Sequence, residues 1–389
     1  MIELLLTATG LYYGQLAKQD FLIRFYRLSR AFFFFTLTTL YFGRSLVRIF
    51  VINVFPNKPI DLEYIVIWGW QLQAVISMMF LFYWQRRRII KYLLEDILIS
   101  RTILGKSFTM YRKLKCTFYQ WVILVVTMST TFGVTIIADT IQKIIRSGDS
   151  ITKPTMGLHP FDFIYRLVPV YGVFVWNIVL CFFVIVMKCL SLELKEFNRS
   201  LDKLLHEDQP IPWSTSRLST NLMVAFDVHK RLAKKIRRAD NIFQFYILLT
   251  MAVGTPTTIF AIIVMLRRKT WVGMFFSIHD VICCTTHLIG FTIVPAQIHS
   301  EYHSVRTQLC RNSSLWQQYD AKLYHITLMF IDHITQANAG ISLGGLVVIR
   351  KSLLFTCVSL VTPYVVLSLQ LNVGGPNSFF KVSNHTAYT

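Results

Sequence analysis

Acidic residues are scarce in this chain. It has 20 Asp and Glu against 40 Lys and Arg in 389 residues, and charged residues of both signs make up only 15%. Soluble domains carry about 25%. A soluble chain of this length would divide into two or three domains, yet no Pro-, Gly- or Ser-rich linker separates any. There is no Gly-rich phosphate loop, no Cys-x-x-Cys pair and no Ser/His/Asp signature, so nothing points to nucleotide, dithiol or hydrolytic chemistry. The chain reads as a non-enzyme with no cofactor. A basic segment is also missing ahead of the short apolar patch Leu4–Leu11, where Glu3 stands instead. That argues for a short amphipathic N-terminal helix and against a cleaved signal peptide. None of the seven cysteines falls in a segment read as external, so no structural disulfide is expected.

What the chain has instead is apolar length. Hydrophobic residues make up 54% and the mean hydropathy is +0.49. They gather in runs of about 20, enough to cross a hydrocarbon core of ~30 Å. The runs are Ala31–Phe50, Tyr64–Trp84, Phe118–Ala138, Ile164–Met187, Ile242–Leu266, Val272–Ala296 and Ser352–Leu371. Arg44 and Arg48 share one face of the first run and can snorkel outward. The net charge of +20 lies between the runs, which signals membrane topology and not a nucleic-acid partner.

Residues 1–30, 85–117, 188–241 and 297–342 together hold 27 Lys and Arg, against 8 in the connections on the other side. The positive-inside bias puts the N-terminus in the cytoplasm and, after an odd number of spans, the C-terminus outside. The expected fold is therefore an all-α membrane protein with seven transmembrane helices and cytoplasmic helical extensions. Its expected parts are a cytoplasmic N-terminus (1–30), the first four spans with their loops (31–187), an inner helical loop (188–241) and the fifth and sixth spans (242–296). An inner anchor segment (297–351), the last span (352–371) and an outer tail (372–389) complete it. Asn384 in that tail begins a usable glycosylation sequon. Asn198 and Asn312 begin the same tripeptide in segments read as inner, so chance matches occur here.

The inner connections are patterned. Leu190, Leu194, Phe197, Leu201, Leu204 and Leu205 recur at helical spacing, as do Leu218, Leu222, Phe226 and Ile236, and Tyr319, Leu323, Ile326, Phe330 and Ile334. Apolar stripes on basic helices need a partner surface. Packing within the chain and assembly between chains satisfy that need equally well.

Few residues suggest chemistry. His299 and His303 lie i,i+4, but Ser300 stands where the zinc-protease motif needs Glu, so no metal is expected. Asp280 is the one carboxylate well inside a span, next to His279 and two turns from His287. A carboxylate at that depth needs a partner or water. It fits a ligand cavity, or a buried pair with Arg166 or a neighbouring His. Trp68, Gln71, Tyr171, Trp176, Asn177 and Thr257 add rings with polar tips in the outer half, which suit a pocket for small amphipathic molecules; interfacial packing suits them as well. In the last span Tyr364, Leu367 and Gln370 form one stripe at i, i+3 and i+6. Around a symmetric oligomer such a stripe makes a hydrophobic gate beside a polar ring. Hydrogen bonding of Gln370 to a neighbouring helix is the alternative.

The segment Thr362–Leu371 resembles the terminal signature of insect gustatory receptors, which is Thr-Tyr, five apolar residues and Gln-Phe. Tyr364 and Gln370 match at the right spacing. Pro363 stands for the Thr, Leu371 for the Phe, and Ser368 interrupts the apolar five. The opening Leu11–Gln15 resembles that of bitter-type members. The resemblance implies a taste receptor that is a ligand-gated non-selective cation channel in the plasma membrane of chemosensory neurons. It implies a homo- or hetero-tetramer passing monovalent cations and calcium, with tastants bound in the outer half, Gln370 lining the pore and Leu367 forming the gate. A G-protein-coupled chemoreceptor is the rival. It requires the opposite orientation, and neither Asp-Arg-Tyr after the third span nor Asn-Pro-x-x-Tyr in the seventh is present. A transporter finds no internal repeat and one intramembrane acid.

Overall fold

The computed structural model describes residues 21–54, 62–90, 108–148, 160–207, 215–268, 271–317, 320–337 and 339–373, together with Leu6, Tyr92, Leu93 and Glu95. Asn384, most of the outer tail and Tyr319 lie outside the described residues. The helices are α1 (Phe21–Val54), α2 (Leu62–Arg86), α3 (Phe108–Gly148), α4 (Pro160–Glu207), α5 (Thr215–Arg267), α6 (Trp271–Arg311), the single turn α7 (Ser314–Gln317), α8 (Ala321–Ala337) and α9 (Lys351–Val373). A two-stranded hairpin, β1 (Ser342–Leu343) and β2 (Val347–Val348), joins α8 to α9.

Each apolar run forms the middle of a helix, and several helices outlast their run. With 48 residues, α4 is roughly 70 Å long. α5 has 53 residues, roughly 80 Å. Both exceed the bilayer core by more than a span. The excess is the amphipathic part, where the pattern changes from uniformly apolar to striped without a helix breaker. Pro169, Pro256, Pro295 and Pro363 lie inside α4, α5, α6 and α9, and the helices run through them. Intramembrane prolines are tolerated where neighbouring helices and hydroxyls take up freed backbone groups. Thr257, beside Pro256, donates to the Val253 carbonyl at 2.7 Å, and Thr362, beside Pro363, donates to that of Val358 at 2.9 Å.

This is a multi-pass helical membrane protein. α2 to α6 are each long and apolar enough to cross a membrane, and the apolar part of α9, Lys351–Leu367, is a shorter segment of the same kind. α4 is the axis of the bundle, with 83% of its apolar window buried, whereas α3 has 17% and turns most of its surface outward. α4 packs on α2, α3 and α6, and α5 packs on α2 and α6. α2 and α5 approach closely at Gly69, where any Cβ would run into the Thr257 hydroxyl. Small residues at such crossings let backbones approach where lipid supplies no hydrophobic drive.

Beyond the spans, the striped segments pack on one another within the chain. Leu194, Phe197, Leu201, Leu222, Phe226, Ile236, Leu323, Phe330 and Ile334 are all buried in one continuous core with the spans. At its centre His229 is fully buried and stacks 4.6 Å from Tyr302. Glu193 of α4 is buried against Lys235 of α5 at 3.4 Å.

Candidate functional site

The predicted pocket residues lie along the spans of α2, α4, α5 and α6 but do not all meet. Trp68 stacks on Phe42 of α1 at 5.6 Å, and Tyr171 stacks on Phe34 of α1 at 4.7 Å. Gln71 is buried against α4 beside Gly172, and its carbonyl oxygen has no hydrogen-bond partner. Asn177 donates to Val173 on its own helix at 2.9 Å, and Thr257 is committed to Val253.

Asp280 lies 3.6 Å from His279 Nδ1, with its side chain 28% exposed. The neighbouring imidazole is the partner that a carboxylate in a span needs. His279 Nε2 reaches the Met128 carbonyl at 3.2 Å, and its ring stacks on Phe132 at 6.2 Å. Asp280 and His279 thus form a polar seam between α6 and α3. The side chain of Arg166, the other partner the sequence suggests for Asp280, lies outside the described residues.

A second polar group forms deeper in the bundle, and only part of it is legible in the sequence. The Trp176 indole lies flat on the His287 ring, 3.6 Å apart and 16° from parallel. His287 Nδ1 bonds the Cys283 carbonyl at 2.8 Å. Its Nε2, the Trp176 N–H and both ends of the Gln73 amide are buried without a hydrogen-bond partner. With Thr250, Gly254, Cys284 and Phe291 they line a crevice of about 10 Å³, the scale of one water molecule. Four polar atoms without a protein partner around one small space are unusual in a protein interior, and a water or a ligand with both a donor and an acceptor would satisfy them. Sequence reasoning missed Gln73. The signal available was an amide between Leu72 and Ala74 in the middle of a span.

At the other end of the chain, α9 packs on α5 and α6 through one stripe. Leu353, Cys357, Val361 and Val365 on that stripe are half-buried. Leu367 lies about 160° around the helix from Val365, and Gln370 about 140°. Accordingly Tyr364 and Leu367 are 50% and 52% exposed, and Gln370 is exposed. The described residues of the chain offer Gln370 no hydrogen bond.

The hairpin before α9 is latched to α5. Asp240 accepts from the Ser342 N–H at 2.6 Å and the Ser342 hydroxyl at 2.8 Å. Gly344 N–H donates to the Gln244 carbonyl at 3.1 Å. Gly344 and Gly345 have φ of 63° and 77°, as a tight hairpin turn requires. The His299 and His303 rings lie 4.4 Å apart, tilted by 45°. Among the described residues no three His, Cys, Asp or Glu side chains converge as metal ligands do.

No family model matches the sequence, and no curated protein matches it. The fold is similar to that of the insect olfactory receptor OR5 from Machilis hrabei, with a TM-score of 0.68 at 14% identity over 95% of this chain and 97% of that one. The same receptor in complex with eugenol gives 0.69 at 13% identity over the same shares. The likeness shows a shared all-α fold along nearly the whole chain.

Proposed function

We propose that the chain is a chemoreceptor subunit that acts as a ligand-gated, weakly selective cation channel, with α9 lining a central path in a tetramer. The carrying observation is the face of α9. One stripe packs on the bundle, while Tyr364, Leu367 and Gln370 point away from it. A glutamine there gains little from facing lipid, and a ring of leucines beside a ring of glutamines gates by dewetting. No Asp or Glu follows Asp332, so the ring has no carboxylates and discriminates weakly among monovalent cations. The resemblance of Thr362–Leu371 to the gustatory signature favours a bitter or other aversive tastant, in the plasma membrane of chemosensory neurons. Among the predicted pocket residues, Trp176 reaches the crevice with Gln73 and His287, and we place the ligand there. At about 10 Å³ the crevice must widen to admit a molecule, and that widening is the gating signal. The olfactory receptor complex motivates eugenol as a first probe. With the N-terminus inside, an epitope at Thr389 is accessible on intact cells and one at Met1 is not.

The test is reversal potential under ion substitution in cells expressing this chain, with surface expression checked alongside. Leu367→Ser should raise basal current without ligand. Gln370→Glu should raise relative calcium permeation, and Gln370→Lys should block cations. Unchanged permeation in all three removes α9 from the pore and the channel reading with it.

A further inference from the structure

A cleft of about 480 Å³ opens where the start of α3, the middle of α4 and the second half of α6 come together. It is lined by Lys113, Cys116 and Thr117 of α3, Lys188, Ser191, Leu192 and Lys195 of α4, and Gln297 and Glu301 of α6. Its volume falls within the range of small-ligand sites, about 300–1,000 Å³. All three helix segments lie on the side of the molecule that carries the excess of Lys and Arg, the cytoplasmic side by the positive-inside bias.

The charge balance in the cleft is uneven. Three ammonium groups share it with one carboxylate. Glu301 Oε2 accepts an N–H from the neutral Asn198 amide at 3.0 Å, so its charge remains and offsets one of the three cations. Lys188 is half-buried, and its ammonium donates to the neutral Gln297 amide at 3.1 Å. Among the described residues no carboxylate stands within ion-pair distance of Lys113, Lys188 or Lys195. Packing alone does not account for three cations from two helices around an open cleft. Like charges held close cost free energy unless an anion joins them.

The surroundings indicate what kind of anion. Immediately above the cleft, Tyr119, Ile123 and Val126 of α3 are exposed and continue as an apolar strip up the outward-facing side of that helix. A ligand with its head in the cleft can lay a hydrocarbon tail along this strip. Basic pockets between membrane helices at the cytoplasmic leaflet suit phosphorylated lipid headgroups.

We propose that this cleft binds a phosphomonoester-bearing anionic lipid of the inner leaflet, with Lys113, Lys188 and Lys195 holding the phosphate groups. The proposal rests on the fold and the charge distribution, and it stands or falls independently of the channel reading.

The test uses the purified full-length chain in neutral detergent, titrated with fluorescent short-chain phosphatidylinositol bisphosphate. Short-chain phosphatidylcholine, inositol trisphosphate and inorganic phosphate serve as competitors. Binding should weaken as salt rises, resist phosphatidylcholine and be displaced only weakly by inositol trisphosphate. Replacing all three lysines with glutamine should weaken binding at least tenfold. Glu301→Gln keeps an oxygen for Asn198 and removes the opposing charge, so it should tighten binding about threefold. That gain tests the idea even where the triple variant folds poorly. Equal displacement by phosphatidylcholine overturns the proposal, as does indifference of binding to both the lysine and the Glu301 changes. Inositol trisphosphate binding as tightly as the lipid assigns the cleft to a soluble phosphate and overturns the lipid source.

Discussion

Gln73→Leu separates a binding site from a packing defect. Gln73 is 1% exposed, and neither end of its amide has a hydrogen-bond partner. A buried polar group left unsatisfied costs about 1–3 kcal/mol. Leucine has similar bulk and no polar atoms, so the substitution removes that cost without opening a large cavity. For a chain of this size the gain corresponds to an upward shift in Tm on the order of 2 °C. If the crevice binds ligand, the same change deletes a donor and an acceptor that the ligand uses. The expected signature has opposite signs, with a higher melting temperature and a weaker response to ligand. Residues kept for function at the expense of stability behave this way. The melting curve is read by intrinsic fluorescence of the purified chain, and the response by current in expressing cells. A variant that melts earlier and responds normally would show that Gln73 holds the bundle together, and the crevice would lose its assignment.

His229 is buried in the inner bundle. Burial, with His333 nearby, pushes its pKa down to about 3 from the ordinary 6.5. It therefore contributes full stability above pH 6.5 and loses about 1.4 kcal/mol per pH unit as the pH falls toward about 3. Melting temperatures measured from pH 7 to pH 5 should decline in the native chain and decline less in His229→Leu; equal slopes would rule the residue out. Lys235→Met removes the ammonium 3.4 Å from buried Glu193 and should cost about 3 kcal/mol, much of it recovered by adding Glu193→Gln. Thermal unfolding of the single and double variants reads this, and an unchanged single variant refutes it. Asp240→Ala frees the hairpin from α5 and should blunt ligand-evoked current while surface expression and melting change little. A normal response would mean that the hairpin carries no signal.

The spans were legible because lipid imposes a length, and each of the seven apolar runs lies within a helix. The helix ends were less legible. α4 and α5 continue far past their apolar runs because Leu190 to Leu205 and Leu218 to Ile236 keep helical spacing on basic surfaces, so hydropathy falls while the helix persists. The hairpin went unread although Gly344-Gly345 between Leu343 and Leu346 is a turn signal. Two-residue strands are too short to show alternation. In the candidate site, Asp280 stood out as a charge in an apolar run with His287 two turns on, and Trp176 as a ring with a polar tip. Their grouping with Gln73 depends on how α2, α4, α5 and α6 cross, and a single sequence carries no record of such crossings. The side-by-side placement of Lys113, Lys188 and Gln297 was hidden for the same reason.

α5 carries both the lining residues Thr250 and Gly254 of the crevice and the acceptor Asp240 that grips the hairpin. Ten to fourteen residues of continuous helix separate them, roughly 15–20 Å. The side chains that shape the crevice and the side chain that grips the hairpin are therefore different residues on different turns of one helix. One rigid rod thus carries both places, and a lineage built on this plan can vary the residues at one end of the helix without replacing those at the other.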